Sequence, residues 1–269
     1  VINSVKNERI KRYRRLRKRN LRYKDGKFLI EGIQAVAEAL SFPLKPESIV
    51  VNERGRLLLE PYSHLVNGRS IPCLLVDDKV MESLAGTVTP QGILAVSGFI
   101  DIDLHTLLAS SPSPLLIANR VRDPGNLGSM VRIADAAGVG GLIVCRESVD
   151  PYNPKTVRST AGSLFHVPFC VGLGISEVIH EVRRAGYTVF AAEAHEGMDL
   201  WDVEWPERLA LVVGNEAWGM PQEEGSLVDV AVNVPMAGKA ESLNVASATA
   251  VILFELERQR RLKGADKGI

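Results

Sequence analysis

Three segments beyond residue 120 hold most of the polar residues whose spacing suits chemistry. They read R-D-P-G-N-L-G-S-M-V-R-I-A-D-A-A-G-V-G-G-L-I-V at 122–144, L-V-V-G-N-E-A-W-G-M at 211–220, and V-N-V-P-M-A-G-K-A-E-S-L-N-V-A-S-A-T-A at 232–250. None contains G-x-G-x-x-G or G-x-x-x-x-G-K-[ST], so dinucleotide and P-loop chemistry lose their main support and a ligand other than a nucleoside triphosphate is indicated. Each segment also has a local reading. Asp123-Pro124-Gly125-Asn126 suits a turn that caps a helix, with Pro124 in its first turn. Arg132, six residues past Asn126, suits an ordinary helix surface. Gly214-Asn215-Glu216 suits a tight turn with Glu216 near a helix N-terminus, and Ser242 or Asn244 suits the cap of a last helix. Cys73, Cys145 and Cys170 are scattered and odd in number, with no C-x-x-C spacing, so they predict buried spectators and neither a disulfide framework nor a metal site.

Around these segments, apolar β-like runs at 115–118, 141–145, 187–192, 209–213 and 230–234 alternate with helical or Gly-rich stretches, and a closing helix spans about 242–262. Nearly continuous apolar strands alternating with helices predict a parallel sheet covered on both faces, which binds ligands at the carboxyl ends of its strands. All three polar segments follow such runs. Before them, F-L-I-E-G-I-Q-A-V-A-E-A-L leads into a helix around 31–41, and β-like runs at 48–52, 72–76 and 92–98 form a smaller α/β alternation. S-S-P-S-P at 110–114 has linker composition and predicts a boundary, with domains at 1–110 and 111–269.

The 269 residues are 46% hydrophobic and 24% charged, which excludes pervasive disorder and suits two domains. No apolar run reaches the length of a membrane span and the basic start lacks a signal-peptide core, so a reducing, cytoplasmic setting is expected. The zero net charge hides an asymmetry. Residues 6–27 carry 12 Lys/Arg against Glu8 and Asp25, leaving 20 basic against 30 acidic residues elsewhere. A cationic arm on an acidic body predicts a polyanionic partner. Residues 6–24 lack Gly and Pro, and Ile10, Tyr13, Leu16 and Leu21 recur near helical spacing, predicting one basic amphipathic helix. Lys11, Arg12, Arg14, Arg15, Lys18, Arg19 and Arg22 are its candidate RNA contacts, with Tyr13 and Tyr23 available for stacking. A solvated face on a helix packed against the first domain is the local alternative. Membrane-surface binding is disfavoured by the thin apolar face, which has no Trp or Phe.

Taken together, the three segments resemble the three motifs of the SpoU-type, or TrmH-type, RNA ribose methyltransferases of the SPOUT superfamily. Asn126 with Arg132, Gly214-Asn215-Glu216, and Pro235-Met236 with Gly238 followed by Glu241-Ser242-Leu243-Asn244-Val245 match in order, and the resemblance covers 115–260. The start, K-N-E-R-I-K-R-Y-R-R-L with F-L-I-E-G-I-Q-A-V, is similar to the ribosomal-protein-like substrate-binding domain of members that act on ribosomal RNA.

The resemblance implies an α/β catalytic domain with a C-terminal trefoil knot, a homodimer built through it, and S-adenosylmethionine bound mainly by backbone groups. Cofactor contacts would fall at Gly214, Val234 and Leu243, with Met236 and Asn215 beside them and Ala192 and Glu193 as further candidates. Arg132 would activate the ribose hydroxyl, with Asn126, Glu216, Ser242 and Asn244 as its catalytic partners. A guanidinium is a poor proton acceptor at neutral pH, so a cationic role for Arg132 is the easier chemistry. The rivals are a transfer-RNA ribose methyltransferase, an inactive RNA-binding module of the same fold, and a Rossmann oxidoreductase, which lacks its glycine fingerprint.

Overall fold

The computed structural model describes residues 1–110, 114–194, 197–214 and 227–266, with side chains described as far as Lys263. The chain forms two compact units: Val1–Ile100 with Asp150–His166, and Asp101–Val149 with Val167–Ile269.

In the first unit, helices α1 (Glu8–Arg15) and α2 (Arg19–Asp25) precede strand β1 (Lys27–Glu31) and α3 (Ile33–Ser41). Then come β2 (Ser48–Val51), α4 (Glu53–Leu59), α5 (Ser63–Gly68), β3 (Cys73–Leu75), α6 (Asp78–Leu84) and β4 (Ile93–Gly98). The sheet order is β1-β4-β2-β3, antiparallel except for β2 with β3. Ile10, Tyr13 and Leu16 lie in the core with Leu29, Val50, Met81 and Val96, so the basic segment is built into this unit rather than appended to it.

The single helix expected over 6–24 is two. The chain breaks at Leu16–Lys18, where the buried Arg22 guanidinium donates to the Leu16 and Arg17 carbonyls at 3.0 and 2.8 Å. Those carbonyls are the free acceptors that a helix end leaves behind, and Arg22 satisfies them. β1 was not anticipated as a strand, because its apolar run merges with that of α3.

Close backbone approach fixes one corner of this unit. Asn52 caps α4 by accepting from Gly55 N at its side-chain Oδ1, 2.8 Å, and its backbone N–H donates to Gly92 O at 3.0 Å. A Cβ on Gly55 would lie 1.8 Å from Gly92 O, and Gly92 has φ +86°. Gly55→Ala must therefore shift backbone, and a thermal melt is expected to show a loss of about 1–3 kcal/mol, typical of overpacking. An unchanged melt would show that the corner relaxes freely.

The second unit begins with α7 (Leu104–Ser110), β5 (Leu115–Ala118), α8 (Pro124–Ala136) and β6 (Gly141–Val144). The chain then contributes α9 (Pro154–Ser159) to the first unit. Returning, it adds β7 (Phe169–Val171), α10 (Ile175–Arg184), β8 (Thr188–Glu193), β9 (Met198–Asp199), β10 (Leu209–Val213), β11 (Val230–Asn233) and the long helix α11 (Val245–Asp266). The seven strands run parallel in the order β7-β6-β5-β10-β8-β11-β9. Central strands such as β5 and β10 are buried at every residue, which is why they read as unbroken apolar runs. The edge strands β7 and β9 were not anticipated.

Leu104 and Leu107 of α7 lie in the second unit's core with Leu115 and Ile143, so the compact units divide at 100/101 and α7 belongs with the second of them. Residues 150–166 join the first unit because Tyr152, fully buried, stacks on Phe99 at 4.1 Å and packs on Phe28, while Asp150 pairs with Arg22 and Arg158 with Glu31. Cys145 and Cys170 are buried as expected, but Cys73 is exposed on β3. Burial, reinforced by Asp101 and Asp103, pushes the Cys170 thiol up to about 12 and keeps it protonated.

Candidate active site

The carboxyl ends of β8, β10 and β11 and the start of α11 enclose a cleft of about 760 Å³, counting its open mouth. Gly214 follows β10, Val234 and Met236 follow β11, Ala192 and Glu193 end β8, and Ser242 and Leu243 precede α11; all line it. Six of the seven expected cofactor residues are therefore brought together. Asn215, the seventh, lies outside the described residues, as does Glu216.

Val212, Val213 and Ala194 also line the cleft, as do Val245, Ala248 and Ile252. The first two are indistinguishable from core in a buried strand. The last three stand at i, i+3 and i+7 on α11, a helical face that periodicity could have exposed. A Cβ on Gly214 would sit 3.6 Å from Asn119 O, an ordinary contact, so no described residue requires glycine there. Apolar walls with one carboxylate, Glu193, and one hydroxyl, Ser242, among the described lining residues have the make-up of a small-ligand binding surface.

The first and third segments meet beside this cleft. Asp123 caps α8 by accepting from Asn126 N at 2.9 Å, and Pro124 occupies the first turn, as the local reading has it. Asn244 caps α11, its Oδ1 accepting from Ala246 N at 3.0 Å. The two helix starts are then joined: Asn244 Nδ2 donates to Asn126 Oδ1 at 3.1 Å. Capping and tertiary roles coexist because an amide side chain offers an acceptor and a donor at once. α8 packs against α11. Arg132 is exposed on α8, outside the cleft lining, and no described residue pairs with its guanidinium. Six residues on an α-helix place it about 9 Å further along the axis than Asn126 and about 120° around it.

The first unit has its own candidate surface. Arg14, Arg15, Lys18 and Arg19 are exposed, and no carboxylate among the described residues pairs with them. Lys11 bonds Glu8 at 2.7 Å and Arg12 bonds Glu47 at 3.2 Å, which offsets part of their charge. Arg22 is a correction. It is 2% exposed and ion-paired with Asp150, so it holds the fold and is not presented to RNA. Tyr13 is withdrawn likewise: it is in the core, with its hydroxyl 2.7 Å from Ser48 Oγ. Tyr23 is the exposed aromatic of the segment.

Residues 113–254 match the SpoU rRNA Methylase family, and residues 7–95 match the MRM3-like substrate binding domain. The chain is 34% identical over 255 residues to the 23S rRNA (guanosine(2553)-2'-O)-methyltransferase RlmP of Bacillus subtilis, covering 95% of this chain and 98% of that protein. It is 32% identical to a 23S rRNA (uridine(2479)-2'-O)-methyltransferase of Streptomyces viridochromogenes, covering 90% and 86%. An AdoMet-bound rRNA methyltransferase from Sinorhizobium meliloti superposes with a TM-score of 0.85 at 30% identity, covering 96% of this chain and 97% of that one. Carrying both regions in order, the chain belongs to the SpoU rRNA methylase family, with an MRM3-like substrate-binding domain ahead of the methylase domain.

Proposed function

We propose that this chain transfers a methyl group from S-adenosylmethionine to the 2'-hydroxyl of a ribose in ribosomal RNA. The observation that carries the reading is the Asn244–Asn126 bond, which ties the first and third motifs together beside the cleft formed by Gly214, Val234 and Leu243. The cleft suits the cofactor. Val212, Val234, Leu243 and Ile252 offer apolar walls for a base, and the Glu193 carboxylate suits a cationic ligand.

When bound, S-adenosylmethionine supplies an already activated methyl group. The chain's own residues must align the acceptor and manage its proton. Arg132 holds the flanking phosphate and stabilises the alkoxide developing on the ribose oxygen, as a fixed cation. Asn126, braced by Asn244, orients the ribose or Arg132; Glu216 and Ser242 position the target nucleotide. The exposed cations of the first unit bind the RNA backbone without reading sequence. The MRM3-like region and the full-length likeness to 23S rRNA enzymes favour ribosomal over transfer RNA.

The same reading gives the methylase unit a trefoil knot and a homodimer through it. Phe254 and Leu262, half-exposed and eight residues apart on α11, offer the apolar contacts such an interface needs. No described helix is long and apolar enough to cross a membrane; the same reading puts the work in the cytoplasm, with the ribosomal RNA.

Calorimetry should show binding of S-adenosylmethionine and none of NAD. Mapping of 2'-O-methylation in host ribosomal RNA should show one ribose that loses its mark when the gene is deleted. Cofactor binding without a lost mark in ribosomal RNA would overturn the proposed substrate.

A further inference from the structure

Arg22 is almost fully buried, and Tyr23, the next residue, is 41% exposed. The two are held by the same carboxylate. Asp150 Oδ2 accepts from Arg22 Nε at 3.2 Å and also from Arg22 Nη2. Asp150 Oδ1 accepts from Tyr152 N at 2.9 Å and from the Tyr23 hydroxyl at 3.3 Å. The Tyr23 ring meets Phe99 edge-on at 5.0 Å, and Phe99 stacks on the buried Tyr152 at 4.1 Å. An exposed aromatic ring is thus anchored at its hydroxyl by a buried ion pair and at its edge by a buried aromatic stack. That is more restraint than a solvated surface tyrosine needs.

The surroundings are cationic. Arg22 Nη1 fixes the carbonyls of Leu16 and Arg17, and so the backbone of the α1–α2 junction, which displays Arg17, Lys18 and Arg19 to solvent. The Arg19 guanidinium lies over the Tyr23 ring, 5.5 Å from its centroid. A rigid π-face beside a planar cation and two further positive charges suits an unpaired nucleobase with its flanking phosphates. The ring stacks the base, the guanidinium stacks or pairs, and the charges meet the backbone. Duplex RNA offers no splayed base to such a platform, whereas a loop does.

We propose that Tyr23 and Arg19 form a stacking subsite for an unpaired RNA base, with Arg22 and Asp150 as the positioning pair. This rests on the reading of the first unit as an RNA-binding surface and adds that the surface selects loops.

The test uses the full chain and stem-loop RNAs cut from large-subunit ribosomal RNA, each with one loop adenine replaced by 2-aminopurine. The wild-type protein should quench the fluorescence of at least one probe on binding. Tyr23→Leu should lose that quenching and about tenfold in affinity, with the salt slope and far-UV circular dichroism unchanged. Tyr23→Phe keeps the ring and should stay within about twofold of wild type. Wild-type-like quenching in Tyr23→Leu overturns the proposal, and so does a Tyr23→Phe that falls with Tyr23→Leu, which would make the hydroxyl rather than the ring the active part. Arg14→Glu with Lys18→Glu separates the two readings. If that pair weakens binding and flattens the salt slope while Tyr23→Leu does neither, only the stacking subsite fails. If the pair changes nothing, the RNA-binding reading of this surface fails with it.

Discussion

Arg132→Ala is expected to lower methyl transfer by about 10²–10³-fold or more while changing the affinity for S-adenosylmethionine by less than about twofold. The separation follows from position. Arg132 is absent from the cleft lining, is exposed on α8, and has no described partner whose loss would disturb the helix. Its removal is therefore expected to disturb neither the cleft nor the fold, and only a step that needs its charge should suffer. Stabilising a developing alkoxide acts in the transition state, and the phosphate contact touches RNA rather than the cofactor, so kcat should fall with little change in cofactor binding. Arg132→Lys keeps the charge but loses the planar fork, and should retain a measurable fraction of the wild-type rate. Calorimetry for the cofactor and single-turnover transfer to RNA give the two readouts. Equal losses of binding and transfer in Arg132→Ala would place Arg132 in cofactor binding and remove it from the chemistry.

The methylase unit was legible wherever a strand was buried on both faces. β5, β6, β8, β10 and β11 stand where continuous apolar runs stand, because a central parallel strand has no wet face to interrupt the run. β7 and β9, three and two residues long, are too short to carry a period. The residues of the cleft were legible only through motif likeness, since Val234 and Leu243 are chemically indistinguishable from core. The Asn126–Asn244 bond spans 118 residues, and local spacing carries no signal for it. In the first unit, the helical period placed Ile10, Tyr13 and Leu16 correctly on an apolar stripe. It then failed at Arg22, because the break at residues 16–18 resets the phase and turns one arginine of a cationic row inward. Its partner, Asp150, comes from a return of the chain 128 residues later that no composition shift announces.

That partnership carries the other large effect. Asp150→Ala is expected to destabilise the first unit by about 3–5 kcal/mol, since both side chains of the pair are almost fully buried and the guanidinium would keep a buried charge without its counterion. The loss extends further, because Tyr152 N and the Tyr23 hydroxyl also lose their acceptor. Replacing the pair by apolar residues, Arg22→Met with Asp150→Leu, removes the uncompensated charge and should recover part of the stability. It should not recover all of it, because the Leu16 and Arg17 carbonyls that Arg22 serves would remain without their donor. Hydrogen exchange is the appropriate readout. In Asp150→Ala, protection should fall across α1, α2 and β1, while β5 and β10 keep theirs. Affinity for S-adenosylmethionine should hold, because no residue of 150–166 lines the cleft. A single mutant within about 1 kcal/mol of wild type would mean that water reaches the pair, since exposed ion pairs are worth that little. The break between α1 and α2 would then need another cause.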